Sequence, residues 1–114
     1  MMTGPLAADV YELRTYHPNE GKMEGLLERF REHTTKLFES HGMKNIGYWL
    51  TDEENPKLVY IVSHQSKEAA EESWKAFRND PKWKQAYAAS IEDGKLVKKV
   101  ESQYMTSTDF SKLK

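Results

Sequence analysis

The chain is 114 residues long, has no cysteine and carries a formal net charge of −1 at pH 7. This length supports one hydrophobic core, and 38% hydrophobic residues with three tryptophans, six tyrosines and four phenylalanines favour a folded single domain. The near-neutral charge argues against a nucleic-acid-binding surface, which needs clustered basic residues. The lack of cysteine excludes disulfides, thiolate metal sites and a cysteine nucleophile.

The N-terminal segment does not resemble an export signal. It has neither a basic region nor an apolar run long enough for export, and no window of the sequence approaches a membrane span. We therefore expect a cytoplasmic protein. Residues 1–8 are expected to be disordered or extended, residues 9–106 to form a single domain, and residues 107–114 to form a polar C-terminal tail.

The first regular segment, residues 10–16, alternates in the manner of a β-strand. Tyr11 and Leu13 belong to a mostly apolar or aromatic face, whereas Glu12 and Arg14 place two charges on the other face. The apolar face is the better match to a core. We therefore expect Tyr11 and Leu13 to lie under the helices, and Glu12 and Arg14 to lie on the opposite side of the sheet.

A long amphipathic helix is predicted after this strand. Apolar residues recur at spacings of three and four from Met23 to Phe38, with charged residues between them. The pattern predicts a helix of roughly 20 residues, about 30 Å long at about 1.5 Å per residue. Gly42 lies where a left-handed C-terminal cap is expected.

Two further strands are predicted at residues 46–51 and 58–64. The polar loop between them contains Asn55 and Pro56 and is typical of a hairpin connection. Both faces of both strands are substantially hydrophobic. Because a sheet covered on one side only has a polar outer face, this pattern predicts a second layer of cover.

The second half of the chain repeats the order of helix and strand. Ser66 is the predicted N-cap of a helix that contains Trp74. Asp80 followed by Pro81 predicts that this helix ends and that a short one begins. A final strand is predicted at residues 96–106.

The order of these segments predicts an α+β fold of the ferredoxin-like βαββαβ type. Right-handed crossovers place the first and third strands in the centre of a four-stranded antiparallel sheet, with the helices on one face. The other face is then open to water in a monomer. Covering it with the same face of a second copy gives a two-fold arrangement in which two sheets close toward a barrel, so we predict a homodimer.

The sequence has no motif that indicates a metal site or a cofactor. Its four histidines lack the paired spacing with an intervening acid that helical zinc sites use, so no metal site is predicted. Hydrolase, NTPase and nicotinamide-dependent functions lack their sequence signatures, and we predict no cofactor.

Aromatic residues supply the first candidate site. Those predicted to lie between the helices and the sheet are Tyr11, Trp49, Tyr60, Trp74 and Trp83, with Tyr48 as the alternative to Trp49. An apolar cleft with a few polar groups is what the binding of a flat organic molecule requires. The alternative interpretation is that these side chains fill the core, as aromatic residues at helical spacing usually do.

Glu12 and Arg14 supply the second candidate site. Two residues apart on a strand, they share a face, and on the side opposite the helices they would lie at the seam of the predicted dimer. Since a buried charge without a partner is costly, an ion-pair network that stabilises the seam is the favoured interpretation. The alternative is that Arg14 binds the carboxylate of a substrate. If the two faces of this strand are reversed, Arg14 and Tyr16 become the better candidates for contact with a ligand.

Three blocks of the sequence resemble the NIPSNAP family. They are residues 10–16 (VYELRTY), residues 73–83 (SWKAFRNDPKW) and residues 101–114 (ESQYMTSTDFSKLK), and the resemblance extends over nearly the whole chain from Asp9. It implies membership of the dimeric α+β barrel superfamily. That superfamily includes cofactor-independent monooxygenases, haem-degrading enzymes, isomerases and proteins without assigned chemistry. The resemblance brings no catalytic motif that could be carried over to residues of this chain.

The sequence supports two functional hypotheses of different classes. The first is a homodimer that binds a small hydrophobic or aromatic molecule in the cleft between helices and sheet. It would have cofactor-independent monooxygenase-like chemistry in which His41, His64 or a tyrosine accepts a proton. The second is a non-catalytic dimeric module that binds a protein partner through a surface that includes residues 108–110. Whether the protein is an enzyme stays open at this stage.

Overall fold

The fold is built on one antiparallel sheet of four strands in the order β2-β3-β1-β4. A computed structural model describes residues 9–114 of the chain, so residues 1–8, which we expect to be disordered or extended, lie outside the described residues. The strands are β1 (Val10–Pro18), β2 (Lys44–Leu50), β3 (Leu58–His64) and β4 (Val97–Thr106). The first and third strands are central, as the ferredoxin-like order predicts.

The first helical region spans residues 23–40 and changes geometry in its middle. It consists of α1 (Met23–Arg29), a π-helical segment (Phe30–Thr34) and α2 (Thr35–Ser40). Two side-chain hydroxyls bond carbonyl oxygens five residues earlier: Thr34 Oγ1 donates to the carbonyl of Arg29 at 3.2 Å, and Thr35 Oγ1 to that of Phe30 at 3.1 Å. The sequence predicted the helix but not this segment. Gly42, with φ of 84°, ends the region as expected.

The second helical region consists of α3 (Lys67–Asn79) and α4 (Pro81–Ser90). Ser66 caps α3 by accepting a hydrogen bond from the backbone N–H of Ala69 at 3.0 Å. Asp80 caps α4 in the same way through the N–H of Lys82 at 2.8 Å, with Pro81 in the first turn. These caps confirm the predicted break between α3 and α4. Each cap depends only on residues close to it in the chain, which is why the sequence could predict it.

All the helices pack on one face of the sheet. The Tyr60 ring of β3 contacts Phe30 and Phe38 of the first helical region, with ring centroids 5.3 and 5.8 Å apart. On the same face, the Trp74 indole of α3 donates a hydrogen bond to Glu12 of β1. These contacts confirm the ferredoxin-like α+β architecture. The helix side of the sheet carries Glu12, Arg14, Tyr16, Tyr48, Tyr60, Ser102 and Tyr104.

The opposite side, called here the open face, has no helix packed on it in the described residues. It carries Tyr11, Leu13, Trp49, Val59 and Ile61, which alternate with the residues of the helix side. The strand faces are therefore reversed relative to our expectation: Tyr11 and Leu13 lie away from the helices, and Glu12 and Arg14 lie under them. Glu12 and Arg14 consequently cannot belong to a dimer seam on the open face, and that prediction is wrong.

Part of the open face is covered by the C-terminal tail. The Tyr11 hydroxyl donates to the backbone carbonyl of Lys114 at 2.6 Å, and Tyr11 is only 6% exposed. Trp49, by contrast, is 52% exposed, and its ring lies over Gly47, where an added Cβ would clash with it at 2.6 Å. The hydrophobic core lies wholly between the sheet and the helices, around Leu26, Phe38 and Tyr60. Within residues 9–114, no helix combines the length and the apolarity needed to cross a membrane.

Candidate functional site

A cleft of about 480 Å³ lies between the β1–β4 side of the sheet and the helices α3 and α4. We call this space the helix–sheet cleft. Its polar groups come from the strands, namely Glu12, Arg14, Tyr16 and Ser102. Its aromatic groups are Trp74, Phe77, Trp83 and Tyr104, and two exposed helix residues, Glu71 and Arg78, complete the lining. The combination of flat apolar surfaces with a few polar groups is typical of small-molecule sites.

Glu12 is the most highly coordinated side chain of the cleft. Its Oε1 accepts hydrogen bonds from Trp74 Nε1 at 2.7 Å and, with Glu12 ionised, from His64 Nε2 at 2.8 Å. Its Oε2 accepts from Arg14 Nη1 at 2.9 Å and from Ser102 Oγ at 2.6 Å. Three strands and a helix thus converge on one carboxylate that is 1% exposed.

These hydrogen bonds decide the charge of Glu12. Burial by itself raises the pKa of the carboxyl, but the four donors from His64, Ser102, Trp74 and Arg14 outweigh it and lower the pKa to about 2. With its acceptor positions filled and its pKa this low, the carboxylate is a poor general base near neutral pH. Glu12 therefore acts as an anchor for the groups around it.

Arg14 is held in one orientation by its neighbours. Its Nε donates to the Tyr60 hydroxyl at 2.9 Å, and its Nη2 lies 3.5 Å from the Tyr16 hydroxyl. The guanidinium carbon lies 4.2 Å from the centre of the Trp74 ring, which is a cation–π contact. Burial opposes the charged form, but the phenol groups of Tyr60 and Tyr16 and the carboxylate of Glu12 raise the pKa of Arg14.

Two tyrosines connect Arg14 to the core. The Tyr60 hydroxyl accepts from Arg14 and donates to the Tyr16 hydroxyl at 3.3 Å. Burial raises the pKa of Tyr60 well above its ordinary value, so its phenol stays protonated. Tyr60 itself is fully buried beneath the cleft, whereas Tyr16 lines it.

Arg29 is a buried guanidinium next to the cleft, and the sequence did not point to it. It is 6% exposed, and its charged group lies 5.2 Å from the ring centre of Trp83 and 5.1 Å from that of Tyr87. Its Nη1 donates to Ser90 Oγ at 3.1 Å. No carboxylate in residues 9–114 forms a salt bridge with it, and its Nε has no hydrogen-bond partner there. Burial lowers the pKa of Arg29.

The structure brings together only some of the residues predicted to bind a ligand. Trp74 and Trp83 line the cleft, and Tyr60 supports it from below. Tyr11 and Trp49 do not border it, because both lie on the open face. The alternative to Trp49, Tyr48, lies on the helix side and stacks on Tyr60 with a centroid distance of 4.9 Å.

The two histidines proposed as proton acceptors lie outside the cleft lining. His64 is 2% exposed behind Glu12, and its Nδ1 has no hydrogen-bond partner in residues 9–114. His41 bonds Asp80 through Nε2 at 2.7 Å and faces a separate groove between the first helical region and α4. The hydrogen bonds from His41 and from the Lys82 backbone lower the pKa of Asp80, and burial opposes this change.

Ser102 and Tyr104 were missed as site residues. Tyr16 was expected to contact a ligand only if the faces of β1 were reversed, and the structure shows this reversal, with Tyr16 on the same face as Glu12 and Arg14. The two β4 residues could not be found from the sequence, because only the register of β4 against β1 places Ser102 opposite Arg14 and Tyr104 opposite Glu12.

Several solved structures share this fold. A NIPSNAP family protein with unknown function from Agrobacterium tumefaciens is 24% identical, with a TM-score of 0.80 over 94% of this chain and 95% of that chain. A second NIPSNAP family protein from the same organism is 23% identical, with a TM-score of 0.81 over 93% and 99% of the two chains. A NIPSNAP-like domain protein from Burkholderia xenovorans is 16% identical, with a TM-score of 0.78 over 91% and 89%. At these identities the similarity establishes the fold.

No curated protein matches the sequence at a significant level. The NIPSNAP family model, however, matches residues 11–112, which include every residue that lines the helix–sheet cleft. This match covers most of the chain and agrees with the three sequence blocks that resemble the family. The chain belongs to the NIPSNAP family.

Proposed function

We propose that the protein binds a small, flat hydrophobic or aromatic molecule in the helix–sheet cleft. The observation that carries this proposal is the cleft of about 480 Å³ itself, bounded by three aromatic helix residues and by polar groups from β1 and β4. A volume of this order lies within the range of roughly 300–1,000 Å³ that is common for small-molecule sites. Trp74 and Phe77 also belong to the hydrophobic core, so the cleft lies at the edge of that core.

The lining of the cleft supports binding more than it supports oxidation. Cofactor-independent oxygenation of an organic substrate requires a group that takes a proton from the substrate. Glu12 is an unsuitable acceptor because four donors already occupy it, and His64 is separated from the cleft by Glu12. His41 faces a different groove. We therefore propose a binding function without assigning a reaction.

The binding protein is further proposed to be a homodimer. Its support is the open face, where Leu13, Val59 and Ile61 are only partly covered and Trp49 is 52% exposed. A sheet with helices on one side stabilises its second apolar face by packing it on another layer, and a second copy offers the same surface by two-fold symmetry.

Native mass spectrometry of the protein purified from its own host tests the binding function. We expect an additional mass of one small molecule per chain that is lost on denaturation. The Trp83→Leu variant, altered in the cleft, should lose this mass, whereas the matched Trp49→Leu variant on the open face should retain it. Loss in Trp49→Leu with retention in Trp83→Leu would place the ligand elsewhere and contradict the proposal.

A protein-interaction module is the second candidate function, and one observation favours it. Phe110, in the C-terminal tail, is 83% exposed, which is unusual for a phenylalanine. A Phe110→Ser variant separates the two functions, because it should abolish capture of a stoichiometric protein partner and leave the small-molecule mass unchanged. A wild-type chain that carries the small molecule and captures no partner would contradict this second candidate.

A further inference from the structure

The hydrogen-bond donors of the helix–sheet cleft are only partly used within the protein. A guanidinium has five N–H groups, and Arg14 directs one to Tyr60, one to Glu12 and one toward Tyr16. Two N–H groups, one on each terminal nitrogen, therefore have no acceptor in the described part of the chain. Because Arg14 lines the cleft, these groups are available to a ligand.

Tyr16 contributes a third free donor. Its hydroxyl oxygen accepts a hydrogen bond from the Tyr60 hydroxyl, which itself accepts one from Arg14, and it lies 3.5 Å from Arg14 Nη2. The network thus uses the oxygen of Tyr16 and leaves its O–H hydrogen without an acceptor among residues 9–114. Arg14 Nη2 and the Tyr16 hydroxyl lie 3.5 Å apart and both residues line the cleft, so one oxygen acceptor of a ligand can reach donors of both.

The charges around the cleft indicate whether this oxygen acceptor is an anion or a neutral carbonyl group. Glu12 balances Arg14, and the exposed Glu71 and Arg78 balance each other among the lining residues. Arg29, which packs on Trp83 next to the cleft, has no carboxylate partner in the described residues. Lys67, whose Nζ lies 5.4 Å from the centre of the Tyr104 ring, likewise forms no salt bridge in the described residues. The charges of the lining residues are thus balanced, and the residues packed against them add positive charge, which favours an anion over a neutral carbonyl group.

We propose that the ligand of the helix–sheet cleft is a flat aromatic or hydrophobic carboxylic acid, and that Arg14 and Tyr16 bind its carboxylate. This inference rests on the proposed binding function and specifies its ligand class. The planar guanidinium matches the two oxygens of a carboxylate, and its stacking on Trp74 fixes it in place before the ligand arrives.

Two probes of the same shape test this inference, naphthalene-2-carboxylate and naphthalene-2-carboxamide. Their affinities are measured by quenching of tryptophan fluorescence and by calorimetry on the full chain. We expect the carboxylate to bind about tenfold more tightly than the amide, since a charge-assisted hydrogen bond contributes at least this factor. Equal binding of the two probes would overturn the inference while leaving the binding function intact. Failure of both probes to bind would overturn both.

Two conservative variants assign the preference to the named residues. Arg14→Lys keeps the charge beside Glu12 but removes the planar fork, and Tyr16→Phe removes one hydroxyl and keeps its ring. Each should reduce the preference for the carboxylate to about threefold or less, because the carboxylate loses a charge-assisted contact and the amide loses only a weaker neutral one. If Arg14→Lys fails to fold, the preference measured in Tyr16→Phe tests the assignment on its own.

The matched controls make the same changes outside the cleft lining: Arg31→Lys at an exposed helix position, and Tyr11→Phe on the open face. Both should keep the full preference of the wild-type chain. A preference that survives in both Arg14→Lys and Tyr16→Phe, or that is lost equally in the controls, would overturn the assignment of the carboxylate to Arg14 and Tyr16.

Discussion

Neighbouring residues of β1 lie in opposite environments on the two faces of the sheet. Glu12, on the helix side, is 1% exposed and accepts four hydrogen bonds, whereas Leu13, on the open face, is only partly covered. The charged residue is thus the more deeply buried of the two. A carboxylate tolerates this position because every acceptor site is filled, which offsets the cost of removing it from water.

The comparison extends to the tryptophans of the two faces. Trp74 is 7% exposed and donates its indole N–H to Glu12, whereas Trp49 is 52% exposed and lies over Gly47. The helix side therefore uses polar groups to position aromatic ones, and leaves a cleft between them. The open face presents apolar groups on β1, β2 and β3, such as Leu13, Trp49 and Ile61, and polar groups such as Glu101 and Gln103 on β4. We infer that the first is suited to a small ligand and the second to a second copy of the chain.

Removing the Glu12 carboxylate should have the largest effect on stability. Glu12→Ala leaves Trp74, His64 and Arg14 with buried donors that have lost their acceptor, and breaking a buried ion pair in this way costs about 3–5 kcal/mol. The free energy of unfolding in urea measures this loss. The control Glu72→Ala, at an exposed position of α3, should unfold like the wild-type chain. A Glu12→Ala variant as stable as this control would contradict the anchoring role.

A charge on the open face should separate the proposed dimer. Ile61→Asp places a carboxylate without a partner in the centre of that face, and we expect the dimer dissociation constant to rise by about 100-fold or more, equivalent to about 2.7 kcal/mol. Size-exclusion chromatography with light scattering gives the mass. Ala76→Asp, on the exposed side of α3, adds the same charge and should leave the mass unchanged. A wild-type chain that is monomeric at micromolar concentration refutes the dimer.

Conservative substitutions of Trp74 and Trp49 should have smaller effects on the free energy of unfolding. Trp74→Phe keeps an aromatic ring and removes the N–H that bonds Glu12, so it should destabilise the chain by about 2 kcal/mol. Trp49→Phe removes an exposed indole and should change the free energy of unfolding by less than about 0.5 kcal/mol. Equal effects of the two substitutions would mean that the hydrogen bond from Trp74 contributes no net stability.

Lowering the pH should gradually reduce the contribution of Glu12 to the free energy of unfolding. The pKa of Glu12 is lowered to about 2 from its usual 4.5, so the folded chain binds fewer protons than the unfolded chain between these values. This contribution to stability is complete above pH 4.5 and is lost as the pH falls toward 2. Unfolding free energies measured across this range should have a shallower slope in Glu12→Gln than in the wild-type chain. Unchanged slopes would show that Glu12 titrates normally.

The features that the sequence predicted correctly are local or periodic. The N-caps at Ser66 and Asp80 depend on residues two or three positions away, and the strand order follows from the order of segments. Trp74 and Trp83 were correctly expected to face the sheet. The faces of β1 were assigned wrongly because apolar character was taken as the mark of the core side. The burial of Glu12 depends on donors from β3, β4 and α3, which no pattern within β1 can indicate.

The sequence pattern also could not predict on which face of the sheet Trp49 lies. Both faces of β2 are apolar, and an irregularity in the pairing of β2 with β3 between Asn45 and Gly47 alters which residues share a face. Tyr48 therefore stacks on Tyr60 in the core, and Trp49 lies on the open face. The π-helical segment was missed for a similar reason, because threonine hydroxyls that bond a carbonyl five residues earlier leave no mark on the apolar period.

The three tryptophans of the chain allow the location of the ligand to be measured directly. In a ¹H–¹⁵N spectrum each indole N–H gives one resonance, assigned by single Trp→Phe variants. Trp74 and Trp83 border the helix–sheet cleft and Trp49 lies on the open face. On titration with naphthalene-2-carboxylate we expect the Trp74 and Trp83 resonances to shift together while that of Trp49 stays in place. A shift of Trp49 alone would contradict the central claim that the helix side of the sheet holds the binding site.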